Sequence, residues 1–182
     1  GISFTLPPRR VHSLPVGLTR AERRLYDDVT EFVRDAWGGS SGRLPLPARL
    51  TLMVLQREIG SSTFATGRTL AKMECSPLFS LEEQERLARL RQQAEAIQDN
   101  VKAKHLLAFL QSTDEKVLVF TQYLRTLEYL RRVLETEDFR VAAYHGSLPP
   151  RRKDEAVRTF RADGQIFLST EAGGEGRNLQ FA

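Results

Sequence analysis

The sequence contains little cysteine and no long hydrophobic run. Cys75 is the single cysteine among 182 residues, which excludes an intramolecular disulfide and a multi-cysteine zinc or iron–sulfur site. A single thiol is typical of a protein in a reducing cytosol. No run approaches the roughly 18 apolar residues of a transmembrane helix, and Gly1–Phe4 lacks the basic and then apolar composition of a signal peptide. We therefore expect a cytoplasmic protein that has no membrane partner.

Several motifs of complete enzymes are also absent. The sequence contains no Gly-x-x-x-x-Gly-Lys-Ser/Thr loop to hold a triphosphate and no Gly-x-Gly-x-x-Gly dinucleotide fingerprint. The three histidines, His12, His105 and His145, do not have the spacing of metal ligands, and no nucleophile can be paired with a base. The chain by itself is therefore not expected to be a complete enzyme.

What is present is the composition of a soluble globular protein, with 41% hydrophobic and 27% charged residues. The length predicts one domain, or one domain with a small additional piece. The formal net charge of +4 permits nucleic-acid binding without indicating it.

Residues 1–114 have the pattern of a mostly helical segment. Thr19 and Glu22 have the spacing of a capping box, and apolar residues then recur at helical spacing as far as Trp37. A second helical run covers about 48–59. Ser80 and Glu83 form another capping-box pair before a third helix, and a shorter helix follows at about 101–110.

Residues 115–182 alternate strand and helix patterns. Short apolar, β-rich runs at 117–120, 141–144 and 166–168 are separated by helical stripes, which is the signature of a parallel α/β sheet. The first run is uniformly apolar and is predicted to be buried on both faces. Because the sequence stops soon after the third run, we expect a piece of a longer protein.

Ligands of parallel sheets bind beyond the carboxyl ends of the strands. The segment after the third strand contains three glycines within four residues, at 173, 174 and 176, and begins with the hydroxyls of Ser169 and Thr170. Exposed backbone N–H groups and hydroxyls suit a phosphate group. The alternative is a tight strand-to-helix turn that binds no ligand.

Three segments in order carry a family resemblance. Lys116–Tyr123 resembles motif IV of Swi/Snf-type helicase-like ATPases, Tyr144–Ser147 resembles the next block of superfamily-two motors, and Leu168–Phe181 resembles motif V. The sequence Glu-Gly-Arg-Asn at residues 175–178 is similar to that of the bacterial RapA/HepA branch. Upstream, Leu6–Arg10 and the residues around Leu18 and Leu25 resemble the segment that joins the two motor lobes.

The resemblance implies an α/β, parallel-sheet RecA-like helicase C-terminal lobe over 115–182, truncated before motif VI, preceded by a helical interlobe or insertion segment over 1–114. In such motors ATP and Mg²⁺ are held mainly by a first RecA-like lobe, which this sequence lacks. The resemblance therefore implies a DNA-dependent ATPase as the full-length protein and no ATPase activity for this chain alone.

The resemblance also implies roles for individual residues. Nucleic-acid contacts are expected from Thr121, Gln122, His145, Lys153, Ser169 and Thr170, and nucleotide-sensing contacts from Gly174, Glu175, Gly176 and Arg177. Three of these have plainer alternatives: Thr121 as the cap of the following helix, His145 as a structural side chain in its turn, and the Arg151–Lys153 run as solvated surface.

The expected function is therefore part of an ATP-dependent DNA translocase or remodeller that acts on double-stranded DNA. Expected partners are the first lobe and RNA polymerase or another DNA-bound complex, and the expected location is the bacterial cytoplasm at the nucleoid. Two alternatives stay open: a non-catalytic helical protein-interaction module on an α/β scaffold, and an RNA helicase lobe.

Overall fold

A computed structural model of the protein describes residues 10–38, 44–98 and 100–171. Its elements, in chain order, are α1 (Arg20–Gly38), α2 (Leu46–Glu58), α3 (Thr63–Glu74), α4 (Leu81–Ala96), α5 (Val101–Gln111), β1 (Val117–Thr121), α6 (Leu124–Thr136), β2 (Val141–Tyr144), α7 (Pro150–Ala162) and β3 (Ile166–Thr170).

Helices α1 to α4 form a helical body around one apolar core. The two predicted capping boxes start α1 and α4. Thr19 N–H donates to Glu22 Oε2 at 2.9 Å and Glu22 N–H donates to Thr19 Oγ1 at 3.2 Å; Ser80 and Glu83 make the same reciprocal pair. These bonds satisfy backbone donors that have no partner inside the helix. The two sequence predictions are confirmed.

Helix α3 was not predicted from the sequence. Its first half contains Thr63, Thr66 and Gly67, residue types that disfavour helix interiors. Ser62 caps it by accepting the Ala65 N–H at 3.1 Å. Packing then holds it, because Leu70 and Met73 of α3 are buried in the same apolar core as Leu87 and Leu90 of α4.

Strands β1, β2 and β3 form a parallel sheet in the order β1-β3-β2, as the alternating pattern predicts. All five residues of β3 are buried. The prediction that the first strand is buried on both faces is wrong, because β1 lies at an edge and Phe120 is 50% exposed. The fully buried strand is the central β3.

Helices cover both faces of the sheet. Ile166 and Leu168 of β3 pack with Leu110 of α5 and with apolar residues of α6. Phe167 points to the opposite face and packs with Phe160 of α7. The sequence pattern changes at residue 114, but the packing changes earlier along the chain, because α5 packs on the sheet. We refer to α5, β1, α6, β2, α7 and β3 together as the sheet body.

The helical body and the sheet body meet where α3 begins. The Phe64 and Tyr129 rings are stacked with centroids 5.7 Å apart. The Thr126 hydroxyl of α6 is hydrogen-bonded to Ser61 Oγ at 2.9 Å and to Ser62 Oγ at 3.0 Å. Specific polar and aromatic contacts therefore set the position of the helices against the sheet.

Glu58 is a buried carboxyl near this junction. It is 6% exposed, and its Oε2 atom has no hydrogen-bond partner among the described residues. Burial raises the pKa of Glu58, and this outweighs a hydrogen bond from Thr69 and the nearby charges of Lys72 and Arg125, which lower it.

We expect the Glu58→Gln variant to be more stable than the wild type at neutral pH. A raised pKa in the folded state means that the folded protein binds more protons than the unfolded chain. The free energy of unfolding of the wild type therefore falls as the pH rises from the ordinary value of 4.5 through the pKa of the folded state. Glutamine has no such dependence, so the advantage of the variant grows over that range.

Urea unfolding at a series of pH values above and below 4.5 measures this difference. Glu85→Gln on the exposed face of α4 is the matched control, with an expected change within about 0.5 kcal/mol. A Glu58→Gln variant that is less stable than the wild type at neutral pH would contradict the account.

Candidate functional site

Residues from all three predicted segments lie side by side at the carboxyl edge of the sheet. The register pairs Thr121 of β1 with Thr170 of β3, and Tyr144 of β2 with Ser169. Gln122 follows β1 and His145 follows β2 directly. The edge where parallel sheets bind ligands therefore combines hydroxyl, amide and imidazole groups.

Thr121 is 8% exposed. The alternative in which it caps the next helix is wrong. Helix α6 has Tyr123 at its N-cap position and no side-chain cap bond. Thr121 therefore does not cap α6, and Gln122 beside it is exposed.

Ser169 and Thr170 differ in what they can offer. Ser169 is completely buried, and its hydroxyl donates to the Thr170 carbonyl oxygen at 3.0 Å. In this structure the Ser169 hydroxyl is therefore used inside the protein, and its contact with a phosphate stays a prediction. Thr170 is 7% exposed at the end of the strand, next to Thr121.

His145 lies in the turn after β2. Its Nδ1 atom is 3.2 Å from Ser147 Oγ. Burial lowers the pKa of His145; the Glu128 carboxylate opposes that shift and the Lys153 ammonium adds to it. The neutral imidazole is thus favoured near neutral pH, which suits a hydrogen-bonding group better than a cationic phosphate ligand.

The basic run at the start of α7 divides between two environments. Arg152 is exposed and pairs with Glu155 at 2.9 Å on its own helix. The Lys153 ammonium lies 5.8 Å from the ring centroid of Tyr144 and is half-buried. Lys153 is therefore the member of the run that approaches the carboxyl edge.

The predicted nucleotide-sensing residues Gly174, Glu175, Gly176 and Arg177 lie outside the described residues. Their roles remain predictions. Within 10–38, 44–98 and 100–171, no group of three His, Cys, Asp or Glu side chains could hold a metal ion. No helix of that part of the chain is long and apolar enough to cross a bilayer.

A cavity of about 470 Å³ opens beside Thr121. The sheet body supplies part of its lining, including Phe120, Gln122 and Thr126, and the turn between α2 and α3 supplies another part. Arg57 and Lys102 also line it, and neither is predicted from the sequence. No sequence signal marks them, since they are exposed basic residues on two different helices.

Comparison with known families gives a match over the sheet body. Residues 101–182 match the family described as helicase conserved C-terminal domain. The matched region begins with α5, the helix that packs on the sheet.

Two curated relatives are similar to this chain, one over nearly its whole length and the other over a shorter stretch. The uncharacterized ATP-dependent helicase YqhH of Bacillus subtilis (strain 168) is 30% identical over 179 residues, which are 95% of this chain and 30% of YqhH. The RNA polymerase-associated protein RapA of Pectobacterium carotovorum (strain PC1) is 40% identical over 73 residues, which are 38% of this chain and 8% of RapA. The chain thus spans less than a third of the length of either relative.

A solved structure has the same fold. The Sulfolobus solfataricus SWI2/SNF2 ATPase C-terminal domain superposes with a TM-score of 0.58 at 18% identity, and the match covers 92% of this chain and 66% of that chain. The helical body is therefore included in the structural likeness together with the sheet.

Proposed function

Because this chain carries a Swi/Snf-type helicase C-terminal lobe, we propose that it supplies the second-lobe contacts of an ATP-dependent translocase on double-stranded DNA. These contacts are made from the carboxyl edge of the sheet to phosphates of the DNA backbone. Thr121, Gln122, Thr170, His145 and Lys153 are the side chains assigned to them.

The pairing of Thr121 with Thr170 is the observation that carries this proposal. Two threonines from neighbouring parallel strands stand at one edge, where Thr121 is 8% and Thr170 is 7% exposed. Threonine hydroxyls donate to phosphate oxygens, and phosphate contacts position a protein on nucleic acid without reading its sequence.

The chemistry of ATP hydrolysis is assigned mainly to the rest of the protein. Phosphoryl transfer depends on positioning and charge stabilisation, and the described residues contain no P-loop to position a triphosphate. In this proposal a first lobe holds ATP and Mg²⁺, and Gly174–Arg177 face the nucleotide from the second lobe. Closure of the two lobes then couples hydrolysis to the grip on DNA.

The substrate and the surroundings follow from the same proposal. We assign double-stranded DNA rather than RNA, with an RNA helicase lobe as the alternative. The name of RapA suggests RNA polymerase as one partner, although a different DNA-bound complex would fit the same surface. Cytoplasmic location at the nucleoid completes the proposal.

The Thr121→Val/Thr170→Val variant of the whole protein tests it. Valine keeps the shape and removes the hydroxyls. Bonds to a charged group contribute about 1.5–3 kcal/mol each, so the DNA concentration that half-maximally stimulates ATP hydrolysis should rise at least tenfold. Thr159→Val on the exposed face of α7 is the control and should leave it unchanged.

The 182-residue chain alone belongs in the same assay. It should show no ATP turnover above background with or without DNA, because the triphosphate site lies elsewhere. Turnover by the purified chain would contradict the proposed division between the lobes. Full DNA stimulation of the double variant would contradict the proposed contacts of Thr121 and Thr170.

A further inference from the structure

Helix α2 presents an apolar side to solvent. Its other side is buried in the core of the helical body, where Leu52 and Leu55 have no exposed surface. The exposed residues of the helix are Leu46, Pro47, Leu50, Met53, Val54 and Arg57. Leu46 is 66% exposed and Leu50 is 52% exposed. The solvent side of an amphipathic helix is usually polar, so this side indicates a surface that another molecule covers.

A groove between α1 and α2 extends the apolar side of α2. Its volume is about 470 Å³, and Val33 and Trp37 of α1 line it together with Gln56 of α2. Met53 lies three residues before Gln56, and residues three apart are neighbours on the surface of a helix. The groove is therefore continuous with the apolar side. We use the name α2 face for the following residues: Trp37, Leu46, Leu50, Met53 and Val54.

The charged side chains around the α2 face are arginines. Arg34 is the one charged residue among the described residues that line the groove. The Arg49 guanidinium lies 4.5 Å from the centroid of the Trp37 ring, a stacking that leaves the N–H groups at its edge available to a carboxylate. Arg57 stands in the last turn of α2, and Glu58, the acidic residue of that helix, is buried.

The acidic residues of α1 do not reverse this sign. Asp28 and Asp35 are bonded to side chains of α4. Asp27 and Glu31 are exposed on α1, and neither lines the groove. Carboxylates are therefore the groups that complement the charge around the α2 face.

The shape of the surface favours a helix as its occupant. From Leu46 to Arg57 the apolar side runs for about 16 Å, or about three helical turns. A second helix laid along it has apolar side chains at the same spacing of three and four residues, and these fit the groove beside Trp37. A flat lipid surface would leave the groove unfilled.

We propose that the α2 face docks an amphipathic helix of a partner protein, whose apolar stripe is flanked by carboxylates. The stripe packs on Trp37 and Leu50, and the carboxylates accept hydrogen bonds from Arg34, Arg49 and Arg57. The inference goes beyond the proposed function, because these residues are not among the side chains assigned to DNA. The helical segment thereby recruits a partner, while the sheet body serves the motor.

Synthetic helices test the docking. One fluorescein-labelled peptide carries leucines at helical spacing with glutamates on both sides of the stripe, and a matched peptide carries lysine in place of every glutamate. Anisotropy measures their binding to the 182-residue chain. Trp37 is the single tryptophan of the sequence, so a blue shift of its emission reports contact with the α2 face. We expect the acidic peptide to bind at least tenfold more tightly than the basic one, with a difference that shrinks as salt is added.

The Leu50→Gln/Met53→Gln variant should bind the acidic peptide at least tenfold more weakly than the wild type. Glutamine is a good helix former, and circular dichroism verifies that the variant folds. The control is Leu78→Gln/Leu81→Gln, which changes two exposed leucines outside the α2 face and should leave the affinity unchanged.

Each other result overturns the inference. Equal binding of the two peptides would remove the acidic partner, and equal losses in the two variants would remove the α2 face. Binding to the 182-residue chain and not to the whole protein would mean that another part of the same protein covers the face. A dimer in sedimentation that Leu50→Gln/Met53→Gln dissociates would make a second copy the occupant, and binding to anionic vesicles alone would make it a membrane. If neither peptide binds, the docking is wrong.

The proposed function is tested separately from the docking. The whole protein that carries Leu50→Gln/Met53→Gln should keep the DNA-stimulated ATP hydrolysis of the wild type, because neither residue is assigned to DNA or nucleotide. A loss of that stimulation would overturn the assignment of the α2 face to a partner protein, whether or not the peptides bind.

Discussion

Replacing Phe167 by alanine is expected to lower the free energy of unfolding of the chain by about 3–5 kcal/mol. Phe167 is completely buried in the central strand. Its ring centroid lies 5.3 Å from that of Phe160 and 5.6 Å from that of Tyr144. Removing the ring leaves a cavity between the sheet and α7 that strand β3, paired on both sides, cannot close by moving.

Urea unfolding of the 182-residue chain measures this loss, with Phe120→Ala as the control. Phe120 belongs to the neighbouring strand and is 50% exposed, so the same substitution removes far less buried surface and should cost less than about 1.5 kcal/mol. Equal losses at the two positions would mean that the sheet is not packed as described.

The second large effect is expected from Gly164→Ala in the turn between α7 and β3. A Cβ atom on Gly164 would lie 2.6 Å from the Phe160 Cα atom and 3.1 Å from its Cδ2 atom. The nearer neighbour is backbone and cannot rotate away, so the turn itself must shift. Overpacking of this kind costs about 1–3 kcal/mol, and the shift also breaks the 3.0 Å hydrogen bond from Gly164 N–H to the Thr159 carbonyl oxygen.

Thermal or urea unfolding of Gly164→Ala and Gly17→Ala measures the difference. A Cβ atom on Gly17 would meet nothing within 4 Å, and its substitution should leave stability within about 0.5 kcal/mol of the wild type. A Gly164→Ala variant as stable as the wild type would show that the turn has room that the described geometry denies it.

Both substitutions bear on function through β3. This strand ends in Ser169 and Thr170, and its register with β1 is what places Thr170 beside Thr121. A shift of the turn before β3 would move that pair apart. Under the proposed function, Gly164→Ala is therefore expected to weaken DNA binding as well as stability.

Local chemistry explains which elements the sequence predicted well. The capping boxes of α1 and α4 join residues three apart, and the sequence contains all the atoms of each motif. Strand β2 was predicted with the bounds it has, 141–144. Helix α3 was missed because its helix-breaking residues are offset by packing against α4, which lies about twenty residues further along the chain.

The candidate site likewise contains residues that the sequence predicts and residues that only the fold brings together. The topology rule placed Thr121, His145 and Thr170 at one edge, because every parallel strand ends at that edge. The sequence does not show that the Ser169 hydroxyl donates to the Thr170 carbonyl oxygen. Arg57 and Lys102 could not be predicted, because the fold of α2, α3 and α5 brings them to the cavity and no sequence motif contains them.

The sequence by itself determined the α/β class, the parallel strands and the family resemblance, and it predicted the edge at which a ligand would bind, because periodicity, caps and short motifs are properties of neighbouring residues. Tertiary structure alone decided that β3 and not β1 is the central strand, that α5 packs on the sheet, and that Arg57 of α2 and Lys102 of α5 line the same cavity as Thr121. Those facts depend on contacts between residues far apart in sequence, where burial and packing outweigh the preferences of any single segment.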